Sequence, residues 1–246
     1  MAKYMVLGNW KSNGSREAAA TFAAAFSGVS KAPPEGTIYG LALPFHLIDA
    51  DRFGKTWVGG QNVSRFGEGA YTGETSAGML AELGCRFNLV GHSERRQLFG
   101  ETVADTREKI DRLLAADILP VLCIGETLEE RKAGRLLEIL HGQLAAIAHL
   151  SSSTELAIAY EPVWAIGTGI AAEPEDVADA HTRIKAHLAG LGFTQTPVLY
   201  GGSVKPANAA ALATLKNVDG FLVGGASLKA SDFDAIRSAF VSGKDS

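Results

Sequence analysis

The sequence predicts an α/β fold, a single (β/α)8 barrel of eight parallel strands, and three observations predict it. Eight short apolar runs recur from end to end, each closing on a polar or glycine cluster. Those runs are apolar on successive residues rather than alternating, as strands of a parallel sheet covered on both faces are. Stretches of helical period separate them, and eight such units in 246 residues is the size of a closed barrel. No linker or change of composition divides the chain, so residues 1–246 read as one domain. An open doubly wound sheet is the other way to alternate strands and helices. It is disfavoured because the first strand is followed by NWKSNG, without the glycine fingerprint of a dinucleotide site.

The expected strands are, in order, YMVLGNW (4–10), IYGLALP (38–44), TWVGGQNV (56–63), FNLVGHS (87–93), LPVLCIGE (119–126), LAIAYEP (156–162), PVLYGGS (197–203) and DGFLVGG (219–225). Between the fourth and fifth, Val103, Arg107, Ile110 and Leu114 form one helical stripe with Leu113 beside it. After the sixth, Pro174 suits a first helical turn, and Val177, Ile184, Leu188 and Leu191 share a face. The last helix has Ser231 three residues before Asp234, the spacing of a capping box, and a buried face of Phe233, Ile236 and Phe240. After the third strand, SRFGEGAYTGETSAG (64–78) is long, polar and rich in glycine. Loops of this kind are either functional or merely solvated excursions.

Composition bounds the function. The chain is 46% hydrophobic and 20% charged, with a formal net charge of −4 and no run of lysine or arginine, so no nucleic-acid partner is expected. No window approaches 18 consecutive apolar residues and the N-terminal stretch has no signal-peptide pattern, so no membrane association is expected and the protein reads as cytoplasmic. Cys85 and Cys123 both sit in apolar surroundings and read as small buried hydrophobes of a reducing compartment.

In a parallel barrel, chemistry collects where the strands end. The first strand delivers Asn9 and Lys11, the fourth His92 and Glu94, the fifth Glu126 and the sixth Glu161. The seventh and eighth deliver Gly201-Gly202-Ser203 and Gly224-Gly225. Glycine pairs there let backbone N–H groups approach an anion, although each pair also suits a tight strand-to-helix turn. Lys11 is a cation for a phosphoester or a developing oxyanion, or a solvated surface residue. His92 also suits a turn, and Glu94, Arg95 and Arg96 read most simply as a local ion-pair cluster. Glu161 closes a strand beside the short loop PVWAIGTG, the arrangement of a general base that must be shielded; the alternative is a buried carboxylate paired with Lys11 or an arginine. No set of clustered histidines and cysteines suggests a metal, and no nucleophile elbow is present.

The motifs GNWKSNG, GHSERR, CIGE, AYEPVWAIGTG, YGGSV and GFLVGGASL together resemble the signatures of the triosephosphate isomerase family, in that family's order, from residue 8 to 228. The resemblance implies a TIM barrel that interconverts dihydroxyacetone phosphate and D-glyceraldehyde 3-phosphate without a cofactor. It implies that Glu161 is the base, that His92 is a neutral electrophile, and that Lys11 and Asn9 hold the substrate oxygens. Gly167, Ser203, Gly224 and Gly225 would bind the phosphate through backbone N–H groups, with Glu94 in support. It also implies a homodimer formed through the loop 64–78, with Thr72 reaching towards the other subunit's site near Lys11. The sequence departs from the family at Ser12, where a larger residue is common, and at Ile170 and Ala171, where Lys-Thr commonly follows the lid glycines. The latter change bears on the far hinge of the lid. Two other readings are a phosphate-binding barrel such as an aldolase, with Lys11 as a Schiff-base amine, and a non-catalytic binding barrel.

Overall fold

A computed structural model describes residues 3–29, 33–165 and 172–244. The strands are β1 (Tyr4–Asn9), β2 (Thr37–Ala42), β3 (Trp57–Gly60), β4 (Phe87–Val90), β5 (Leu119–Ile124), β6 (Ala157–Tyr160), β7 (Val198–Tyr200) and β8 (Gly220–Val223). Each pairs in parallel with its sequence neighbours, and β8 returns to β1 with Met5 against Gly220, closing the barrel. Ten α-helices lie among the described residues. They are α1 (Arg16–Val29), α2 (Ala50–Phe53), α3 (Ala77–Glu82), α4 (Ser93–Phe99), α5 (Val103–Ala115), α6 (Leu128–Lys132), α7 (Leu136–Leu144), α8 (Pro174–Gly190), α9 (Pro206–Thr214) and α10 (Ala230–Lys244). All eight expected runs carry a strand, and each strand ends before its run does.

Two apolar layers follow from the period of two along each strand. Met5, Leu7, Phe87, Leu89, Val121, Cys123, Ala157, Ala159, Leu199 and Leu222 make a cluster of strand residues alone, the filled barrel interior. The intervening residues, among them Val6, Leu122, Ile158, Tyr160 and Phe221, pack outward with the helices. Carried onward, the inward parity reaches Asn9 at the last position of β1 and Gly125, Glu161, Gly201 and Gly224 just past β5, β6, β7 and β8. The pleat itself therefore aims these residues over one end of the barrel axis. Cys85 and Cys123 are buried and free.

The helices follow local signals with two departures. Pro174 occupies the first turn of α8, whose Val177, Ile184 and Leu188 are buried while Leu191 is the half-buried residue after its end. In α5 the buried face is Thr106, Lys109, Ile110 and Leu113, and Arg107 is exposed. The expected stripe was thus one step out of phase, because the Lys109 stem enters the core to reach an ion pair. Phe233, Ile236 and Phe240 are buried as expected, but α10 begins at Ala230, so Ser231 lies inside the helix and does not cap it. The Ser231 hydroxyl donates instead to Asp232 at 3.3 Å.

Candidate active site

A cavity of about 340 Å³ opens at the end of the barrel where the strands finish, and Asn9, Lys11, His92, Glu161, Ser203 and the glycines 201, 202, 224 and 225 all line it. Nine residues from five strand ends, dispersed over more than 200 positions of sequence, therefore meet at one site.

Glu161 follows β6 and is 1% exposed. Its Oε1 lies 2.9 Å from His92 Nε2, and its Oε2 accepts the Ser93 backbone N–H at 3.0 Å. Two glycines give this residue its room. A Cβ on Gly125 would fall 1.7 Å from the Glu161 carbonyl oxygen, and one on Gly201 would fall 3.0 Å from its Cγ. Burial works against the ionised carboxylate, but His92, the Ser93 N–H and the charge of Lys11 outweigh it and hold Glu161 below the usual carboxylate range. The pairing expected for a merely structural glutamate, with Lys11 or an arginine, is replaced by one with His92.

His92 enters the site through a sharp turn. Gly91 takes φ 68°, with its N–H donated to Glu101 and its carbonyl accepting from Arg96. His92 then caps α4 with its own ring: Nδ1 accepts the Glu94 backbone N–H at 3.2 Å. Only an unprotonated Nδ1 can accept, so the ring proton sits on Nε2 and points at Glu161. Burial pushes the His92 pKa down, yet the adjacent Glu161 carboxylate more than offsets this, and the net displacement is upward.

Lys11 is held in a left-handed conformation, φ 51°, which is uncommon for a residue with a side chain. Asn9 Oδ1 accepts its N–H at 3.0 Å, and Gln61 Nε2 donates to its carbonyl at 2.9 Å. Its ammonium meets Glu94 Oε1 at 2.5 Å. Glu94, Arg95 and Arg96 do not form the mutual cluster that their adjacency suggests. Arg95 pairs with the buried Glu101 at 2.9 Å, and Arg96 donates to the carbonyls of Gly91 and Cys123. Helical spacing fans the three side chains to separate partners.

The glycine pairs divide in their reasons. A Cβ on Gly202 would meet the Tyr200 hydroxyl at 2.1 Å, so packing alone requires that glycine. A Cβ on Gly225 meets no atom within 4 Å, and one on Gly224 meets only Lys11 Cε, at 3.9 Å. The space beside these two is open to a ligand. Asn208 fastens the opposite wall by bonding the Lys205 N–H and the Ser203 carbonyl.

Several residues of the site carried no assigned role in the sequence. Gln61 is one; Lys205, at the rim, is another. Glu126, fully buried, accepts from Tyr160, Trp164 and Arg131 through Oε1, while its Oε2 has no partner among the described residues. Arg131 also reaches Asp176 on α8 at 2.5 Å, so one guanidinium ties the flanks of segment 166–171 together. Glu126 closes a strand as Glu161 does, which was the signal available. Gly167, Ile170 and Ala171 lie outside the described residues. Thr72 is exposed on the loop after β3, at a separate cavity lined by Phe66, Tyr71 and Phe99. Among the described residues no group of three or more His, Cys, Asp or Glu is placed to hold a metal ion, and no helix is long and apolar enough to cross a membrane.

Known proteins are similar to this one in sequence over nearly the whole chain. The sequence profile described as "Triosephosphate isomerase" matches residues 4–240. A protein of that name from Paracidovorax citrulli is 46% identical, covering 96% of this chain and 98% of its own length. Others of the same name, from Ruegeria sp. and Francisella philomiragia, are 44% and 41% identical and cover 97% and 94% of this chain. With its closed eight-stranded barrel and full-length similarity, the chain belongs to the triosephosphate isomerase family.

Proposed function

We propose that the protein interconverts dihydroxyacetone phosphate and D-glyceraldehyde 3-phosphate with Glu161 as the base that carries the proton between adjacent carbons. The observation that carries this reading is the convergence of Glu161, His92 and Lys11 on one cavity. A C–H beside a carbonyl is a weak acid, so the base needs donors placed where the enolate charge develops. Glu161 takes the proton from C1 of dihydroxyacetone phosphate and the electron pair moves onto the C2 oxygen; that oxygen then gains a proton and the C1 hydroxyl gives one up, and as the C1 carbonyl forms the same carboxylic acid returns a proton to C2. His92 Nε2–H and the Lys11 ammonium face the two oxygens, and Asn9 orients Lys11. To reach carbon, Glu161 must leave the Ser93 N–H and let substrate come between itself and His92. That departure removes the largest influence raising the His92 pKa and leaves only Glu94 on that side; burial, Lys11 and the N–H donated to Nδ1 oppose it and favour a neutral ring. Triosephosphate isomerases are themselves the standard illustration of this division between base and neutral imidazole.

The open space at Gly224 and Gly225, with Ser203 opposite, suits the phosphate, and Gly167 would complete its binding from the covering loop. Glu94 supports the site by orienting Lys11. The ion pair between Lys11 and Glu94 favours a charge-stabilising lysine over the nucleophilic amine of an aldolase. A coupled assay with glyceraldehyde 3-phosphate, run with and without EDTA, tests the activity. Turnover unaffected by the chelator is expected, and its absence would reject the reading.

The protein works as one barrel domain in the cytoplasm, where its two free cysteines suit a reducing environment. It acts as a homodimer through the loop 64–78 and Thr72. Supporting this, Tyr71, Met79, Leu98 and Phe99 are exposed at or near that loop, at 42%, 45%, 73% and 66%. Sedimentation at micromolar concentration should show about twice the 25.8 kDa chain mass; a species of the chain mass alone would contradict the dimer.

A further inference from the structure

Gln143 lies near the end of α7, on the far side of Glu161 from the substrate cavity. Its side-chain amide forks onto a single residue at the β5 end: Oε1 accepts the Gly125 N–H at 2.7 Å, and Nε2 donates to the Gly125 carbonyl at 3.0 Å. The residues either side of Gly125 hold the backbone of the base. Ile124 O accepts the Glu161 N–H at 2.7 Å, and Glu126 O accepts the Val163 N–H at 3.1 Å. Gly125 itself is pressed against Glu161, whose carbonyl oxygen would lie 1.7 Å from any Cβ placed there. The β5–β6 ladder is thus prolonged past its last strand residues, and Gln143 fills the place of the missing neighbour strand on the other edge.

A side-chain amide sets a donor and an acceptor side by side, the spacing at which one extended residue presents its own N–H and C=O along a strand edge. The demand is not simply for hydrogen bonds. A second cavity of about 180 Å³ lies here, lined by Gln143, Gly125, Ser93 and Glu161 among others, and water entering it would satisfy the Gly125 groups. What water would not supply is a fixed link to α7. Reaction geometry is steep in distance, and a displacement of about 1 Å costs on the order of a hundredfold in rate.

We propose that Gln143 is a positioning residue for the isomerisation: by clamping Gly125 to α7, it fixes the backbone from which the Glu161 carboxylate reaches substrate. This rests on Glu161 being the base. The test is Gln143→Met, which keeps length and loses both bonds, with Gln143→Ala, which leaves room for water, as a second variant should the first not fold. Both are assayed well below their unfolding temperatures. The expected result is kcat lowered about tenfold with KM within twofold of wild type, and a larger isotope effect on kcat with C1-deuterated dihydroxyacetone phosphate than wild type shows. A brace that matters only to folding would lower Tm and leave kcat and the isotope effect unchanged, which would overturn the proposal. Wild type without isomerase activity would overturn the reading on which it rests; active wild type with an unaffected variant would overturn this inference alone.

Discussion

Glu161 and His92 face each other over the open end of the barrel, carboxylate oxygen to imidazole nitrogen at 2.9 Å. Each biases the other: the pair lowers the pKa of the acid and raises that of the ring. The other Glu161 oxygen is occupied by the Ser93 N–H, so the base is stored ionised and engaged. Substrate must replace the His92 contact.

Gly225→Ala should separate a ligand requirement from a packing one. A Cβ at this position meets no protein atom within 4 Å, so Tm should stay within about 2 °C of wild type. If the phosphate lies against that backbone, KM should rise about tenfold or more, since one methyl would displace it. The counterpart, Gly202→Ala, drives a Cβ to 2.1 Å from the Tyr200 hydroxyl and should cost about 1–3 kcal/mol of stability. Equal KM for wild type and Gly225→Ala would place the phosphate elsewhere.

Lys11→Ala should damage both binding and turnover, lowering kcat/KM by roughly 10² or more. The lysine is presented by a left-handed backbone that Asn9 and Gln61 fasten on either side, and its charge points into the cavity. A variant with unchanged KM for the triose phosphates would remove Lys11 from the site.

His181 predicts an acid-labile fold independent of catalysis. It is fully buried on α8, its Nδ1 bonded to the Asn217 carbonyl at 2.9 Å and its Nε2 without a partner among the described residues. Burial pushes its pKa down to about 4. The unfolded chain therefore binds this proton first, near pH 6.5, and stability falls as the pH drops from there through about 4. Between pH 7 and pH 5 the loss is about 2 kcal/mol from this group. Urea unfolding at fixed protein concentration should show that slope in wild type and a flatter one in His181→Gln. Parallel slopes would assign the acid sensitivity to other groups.

Much of this was legible in the sequence because parallel strands covered on both faces write themselves as unbroken apolar runs. The residue closing each run then marks one end of the barrel: Asn9, Glu161, Gly201 and Gly224 could be assigned to a single rim without coordinates. What was not legible depends on contacts between distant segments. Lys11 meets Glu94 across 83 positions and Glu161 meets Ser93 across 68, and no local period records either. The Arg107 stripe failed because Lys109 turns into the core to pair with Glu101 at 2.6 Å, an exception that hydrophobic periodicity cannot register. Ser231 failed as a cap because its spacing to Asp234 recurs inside any helix. Gln61 and Gln143 are unremarked polar residues in sequence, and their importance lies in the backbone they hold.

The most direct measurement of the central claim is turnover by Glu161→Gln beside its circular dichroism spectrum. The amide keeps the shape and removes the proton acceptor, so kcat should fall by about 10²–10⁴ while the spectrum and KM stay close to wild type. A correctly folded Glu161→Gln protein that isomerises triose phosphate at the wild-type rate would contradict the assignment of Glu161 as the base.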